Sequence, residues 1–326
     1  MGFIPFAATL VLLASAGVAN AQTVPADYAA LVEPDDRQEV AAKPLKDRLA
    51  ADPGDKAAAR DLLLVYQRFG DFEAGLPLGA KLAAETPDDR AVLEARMVLA
   101  TRRIDDASLF SKKSAAADLL SLCEGERTRD PRSIPAINCV AQFHLVAPSI
   151  AGGDKEKAEA AIRQMQPLDE GQYLLLRANQ AFSNEDEAGG KARLMEAVAK
   201  LTDASDLAGA GTRLGRLGDN DAAFAALDKA AALDPADTFT LYQRGRATAV
   251  TGQRLEAGRD SLLRFLSGSA WIGGTNYRAG AHWRLGQIYQ AMGDKVTAEK
   301  AFRRALVLEP KHKEAQAALK ALKAAG

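Results

Sequence analysis

Apolar and small residues between Leu285 and Leu308 fall on helical periods. Leu285, Gly286 and Tyr289 stand at i, i+1 and i+4, and Ala298, Phe302 and Ala305 at i, i+4 and i+7. Each set makes one apolar stripe along a helix. Gly293-Asp294 lies between the stripes and reads as a turn, because Gly accepts positive φ and Asp hydrogen-bonds nearby backbone. Pro310 cannot continue a helix, so it stops the second one or opens the next. The pattern predicts a helical hairpin whose axes approach closely at Gly286 and Ala298. A single hairpin leaves a stripe exposed, whereas stacked hairpins bury it.

The same grammar recurs along the chain. Gly70 to Pro87, Gly218 to Pro235 and Gly293 to Pro310 each span 17 residues, and Pro53 to Pro87 spans 34. The segment 204–237 carries Gly211, Leu214, Gly218, Ala223, Leu227, Ala230 and Pro235. The segment 238–271 carries Leu241, Gly245, Gly252 and Ala257 without the closing Pro. The segment 56–89 carries Leu62, Tyr66, Gly70, Leu82 and Pro87, with Gly75 in place of Ala. This pattern resembles the tetratricopeptide repeat, a 34-residue unit of two antiparallel helices. The best match is 279–312. The resemblance implies an all-α, right-handed superhelical solenoid of antiparallel helix pairs, with about seven hairpins plus a C-terminal capping helix.

The stretch 90–203 diverges most. Ile104-Asp105 stands where Gly-Asp is expected, and "SIAGGDKEKAEAAI" (Ser149 to Ile162) restores the turn. A short leading helix is expected over Pro44–Ala51, with residues 22–43 as a loosely ordered lead-in. The solenoid is expected over 44–312, interrupted by a loop insertion at 267–278, with a Lys-rich capping helix over 313–326.

Composition supports helices. Hydrophobic residues make up 48% of the 326 but aromatics only 6%, so Ala and Leu dominate the apolar mass. Lys and Arg total 42 against 43 acids, a net charge of -1, which gives nucleic acid no basic stripe to follow. Residues 1–26 carry no charge, and Ala19-Asn20-Ala21 is a small-x-small cleavage pattern. Residues 1–21 read as a secretory signal peptide cleaved near Ala21/Gln22, which predicts a periplasmic or secreted protein. The alternative is an uncleaved anchor. No other apolar run approaches membrane-spanning length, so no membrane span is expected after cleavage.

Candidate chemistry is sparse. "GAGTRLG" (Gly209 to Gly215) imitates a phosphate loop, but no strand precedes it, and Gly211 holds a small position of a repeat helix. His144, His282 and His312 show no metal spacing, and no G-x-S-x-G or G-K-[ST] occurs. We therefore expect no catalytic residues, no metal and no cofactor, and read the chain as not an enzyme. Cys123 and Cys139 flank Pro131 symmetrically on a predicted helix–turn–helix. An oxidising compartment favours a disulfide between them, and two buried thiols remain the alternative.

In the repeat family the groove is lined by first helices. The resemblance places Arg60, Gln67, Arg68, Arg216, Tyr242, Arg246, Trp283, Gln287 and Gln290 there, as contacts for a protein or peptide partner. Ordinary polar surface is the alternative. Trp271 and Tyr277, in "SGSAWIGGTNYRAG", are candidates for loop contacts. Two functions follow from this pattern. One is a non-enzymatic exported scaffold for protein–protein interaction. The other is a periplasmic ligand-binding or substrate-delivery repeat protein acting with a transporter, which a closed pocket near Trp271, Tyr277 and Trp283 would favour.

Overall fold

A computed structural model describes residues 26–33, 37–108, 110–268 and 274–324. The stretch read as a signal peptide (1–21) and Trp271 lie outside these residues. All regular structure among them is helical. Helix α1 (Gln38–Ala51) is followed by the hairpins α2–α3 (Lys56–Phe69, Phe72–Glu85) and α4–α5 (Arg90–Asp106, Lys112–Arg129). Next come α6–α7 (Ile134–Val146, Lys155–Met165) and α8–α9 (Glu170–Ser183, Glu187–Lys200). Then follow α10–α11 (Ala204–Arg216, Asn220–Leu233), α12–α13 (Thr238–Thr251, Leu255–Ser267) and α14–α15 (Gly274–Ala291, Lys295–Leu308). Helix α16 (Lys313–Ala324) closes the order. Seven hairpins and a terminal helix are thus present among the described residues, as in a tetratricopeptide-like solenoid.

The chain divides into two compact units. One comprises residues 45–210, and the other comprises 211–326 together with the segment ending at Pro44. In the first unit, consecutive helices from α2 to α9 pack on one another. One apolar cluster there gathers Leu93, Met97, Leu119, Ile137, Val140, Ile162 and Leu176. In the second unit, α12 to α16 pack in the same way around Leu262, Phe265, Leu285, Ile288 and Phe302.

Two local devices build the hairpins. The Asp of each Gly-Asp turn is an N-cap: the side chain of Asp71 accepts from the Ala74 N–H, that of Asp219 from Ala222 and that of Asp294 from Thr297. Asp55, Asp89, Asp154, Asp169, Asp186 and Asp237 do the same for their own helices. Each cap satisfies an amide that the helix start leaves orphaned. The preceding Gly takes the left-handed conformation, as in Gly70 at φ 71°. Close approach is the second device. A Cβ on Gly286 would stand 2.4 Å from the Phe302 ring, and one on Gly211 would stand 2.9 Å from the Ala223 carbonyl oxygen. Gly211 therefore serves helix contact, not phosphate binding.

Several boundaries differ from the sequence reading. Helix α4 runs straight through Ile104-Asp105, because Ile104 is buried in the core, and the turn follows Asp106. The leading helix starts at Gln38, with Pro44 inside it. The insertion is partly helical, since α14 already includes Tyr277. Residues 26–33, expected to be loose, form a 3-10 turn (Tyr28–Ala30), and Tyr28 and Leu31 pack on the apolar cluster of the second unit.

A disulfide joins Cys123 on α5 to Cys139 on α6 across a Cα–Cα distance of 6.0 Å. Both cysteines lie in the core of the first unit. A buried polar ladder crosses the same unit: the Asn138 amide donates to Gln172, and the Gln172 amide donates to Asp206. Each rung is 34 residues from the next, one repeat per step.

Candidate functional site

The expected groove residues fall in both units. In the first, Arg60 is tied to the N-cap of α4, its Nε donating to Asp89 at 2.8 Å. Arg68 lies over the Phe69 ring at 4.6 Å, and Gln67 is half-buried beside it. In the second unit, Arg216 is exposed at the end of α10 and Gln290 is exposed on α14. The remaining four, Tyr242, Arg246, Trp283 and Gln287, belong to the first helices α12 and α14, which pack directly together.

These four gather around a residue that the sequence reading passed over, Arg284. Its guanidinium carbon lies 3.9 Å from the Trp283 ring centroid, and its Nη1 donates to Gln287 Oε1 at 3.0 Å. Arg246 donates to Gln243 Oε1 at 3.4 Å. The Trp283 ring sits 5.1 Å from that of His312, and Tyr242 packs on Tyr277 and Phe265 at 4.9 and 5.4 Å. Helical phase explains the grouping: Trp283 and Gln287 are one turn apart on α14, and Arg284 pairs with Gln287 at i+3. That spacing was the signal available for Arg284.

Amide oxygens face both guanidinium groups. Among the described residues neither forms an ion pair with a carboxylate, and Arg284 Nε is buried without a hydrogen-bond partner. Burial lowers the Arg284 pKa and the like charge of Arg246 adds to that effect, while Tyr242 and the Glu314 carboxylate oppose it. Burial raises the Tyr242 phenol, against which the charges of Arg284 and Arg246 act. Two partly desolvated cations beside three aromatic rings can hold carboxylates while the rings cover apolar side chains. The pocket anticipated for a transporter partner finds Tyr277 packed on Tyr242, and Trp283 on His312 and Arg284.

A family model described as Tetratricopeptide repeat matches residues 279–312, the segment of α14–α15 that holds Trp283, Arg284 and Gln287. Residues 279–312 thus form a tetratricopeptide repeat. No curated protein matches its sequence. Several solved repeat structures are similar. The APC/C hetero-tetramer Cut9-Hcn1 aligns at 16% identity and TM-score 0.48, covering 88% of this chain and 53% of that one. The chain therefore spans about half the length of that structure. A tetratricopeptide repeat protein from Parabacteroides merdae aligns at 14% identity and TM-score 0.36, covering 88% and 92%. The human IFIT1 dimer with m7Gppp-AAAA aligns at 17% identity and TM-score 0.39, covering 85% and 74%. Among the described residues no helix is long and apolar enough to cross a membrane.

Proposed function

We propose that this protein is a non-enzymatic, exported scaffold that binds an acidic, aromatic-bearing protein segment on the first helices of its second unit. The observation that carries this reading is the pairing of Arg246 and Arg284 with amide oxygens in place of carboxylates, next to Tyr242 and Trp283. A partner carboxylate would give both guanidinium groups a direct counter-charge, whereas within the chain Glu314 acts on Arg284 without an ion pair. Export is supported by the uncharged apolar N-terminus and by the Cys123–Cys139 disulfide, which suits an oxidising compartment.

Fluorescence polarisation tests the binding. Dye-labelled peptides of equal length, one acidic with an aromatic residue, one neutral and one basic, are titrated with the full chain. The acidic peptide should bind best, and its affinity should fall with salt. The Arg284→Gln variant should lose at least about tenfold in affinity for it. Equal binding of the three peptides, or no loss in the variant, would contradict the reading.

A further inference from the structure

The segment Asp27–Glu33 is held by side chains of α14 and α15 that lie 245 to 271 residues away in the sequence. Its carboxylate is the anchor. Glu33 Oε2 accepts from Arg278 Nη2 at 2.6 Å and lies 3.2 Å from His282 Nε2, while Oε1 accepts from Arg304 Nε at 2.8 Å. Five residues earlier, the Tyr28 hydroxyl stands 2.7 Å from His282 Nδ1. The Tyr28 ring meets those of His282 and Tyr289 edge-on, with centroids 5.7 and 6.1 Å apart.

His282 is fully buried, and burial lowers its pKa against the hydrogen bond and charge of Glu33, which raise it. In its neutral form one tautomer fits both contacts: Nε2–H donates to Glu33, and Nδ1 accepts from Tyr28. Burial opposes ionisation of Glu33, but the hydrogen bond and charge of His282, the Arg304 hydrogen bond and the Arg278 charge outweigh it and hold the carboxyl at about 2. Burial, and then the Glu33 charge, raise the Tyr28 phenol.

The receptor half of this arrangement belongs to α14 and α15. Without the segment, Arg278 and Arg304 would lose their shared carboxylate, and the edge of Tyr289 would be uncovered. We propose that Arg278, His282, Tyr289 and Arg304 form a recognition site for an extended peptide with an aromatic hydroxyl five residues before a carboxylate, and that the protein's own Tyr28…Glu33 is its resident occupant. A partner segment of the same pattern displaces the resident one. The site shares no side chain with the surface around Arg284, so the two proposals stand or fall separately.

The test uses the full chain and a labelled synthetic peptide of residues 26–33, ADYAALVE. A tether keeps the resident segment at an effective concentration in the millimolar range, so the wild-type chain should bind the free peptide weakly. The Tyr28→Ala/Glu33→Ala variant vacates the site and should bind it at least about tenfold more tightly. Adding Arg304→Ala to that variant, or replacing the peptide's last Glu by Gln, should abolish the gain. A folded double variant that binds no better than wild type would overturn the proposal. Amide exchange on the wild-type chain decides the matter if the double variant fails to fold. Millimolar free peptide should then accelerate exchange of residues 26–33 several-fold and leave α15 unchanged, and unaltered exchange of residues 26–33 would overturn it equally.

Discussion

Asp206 is a carboxyl buried where the repeat wants an amide. It terminates the ladder from Asn138 through Gln172, and burial, reinforced by the nearby charge of Asp203, pushes its pKa up to about 8. Asp169 adds to the rise, while the Gln172 hydrogen bond and the Arg90 charge oppose it. Glu94 is raised too, by burial against its Arg90 partner. The folded state thus prefers protonated Asp206, while the unfolded chain ionises it near 3.9. Its contribution to stability is complete below that pH and is lost as pH rises toward 8, at up to about 1.4 kcal/mol per pH unit. Asp206→Asn keeps the hydrogen-bonding shape and removes the proton. Urea midpoints between pH 4 and 8 should fall with pH in the wild type more steeply than in the variant. Parallel profiles would show that Asp206 is ionised throughout. Glu33 carries the opposite sign: its lowered pKa adds stability above about 4.5 that is lost as pH falls toward 2. Another residue that departs from its repeat is Glu185, which takes φ 62° before the N-cap of α9, a place that Gly218 and Gly293 fill elsewhere.

At the scale of helices and hairpins, the Cys123–Cys139 bridge fastens α5 to α6 where the repeat is most divergent. Helices α4 and α5 are longer than their neighbours, and their turn lacks the Gly-Asp pair. Closing a loop of this length constrains the unfolded chain by about 3 kcal/mol. The Cys123→Ala/Cys139→Ala variant should be destabilised by about that amount in non-reducing urea titrations. An unchanged midpoint would mean that the hairpin is held by packing alone. Much of this level was legible in the chain, because its signals are local. Gly286 and Gly211 mark close helix contacts, and Gly-Asp marks a left-handed residue followed by an N-cap. The α4–α5 turn was misplaced because an apolar Ile104 continues the helix where a Gly would have ended it. The docking of Tyr28 and Glu33 had no local signal at all, since every partner lies beyond residue 277 and the segment has no period of its own. Arg284 was hidden for a different reason: the resemblance points to Trp283 and Gln287, and the guanidinium joins them by lying over the Trp283 ring.

At the scale of the molecule, seven hairpins and a terminal helix among the described residues bury their stripes against neighbours within each unit. On the second unit the first helices carry Arg246 and Arg284, each donating to an amide oxygen, and the proposed partner surface lies there. The most direct measurement places a photo-crosslinking residue at exposed Gln290 on α14 and, separately, at exposed Val307 on α15. Both proteins are then irradiated with the labelled acidic peptide. Capture at Gln290 and not at Val307, abolished by Arg284→Gln, is the predicted result. Equal capture at both positions, or capture at Val307 alone, would contradict the assignment of the partner surface.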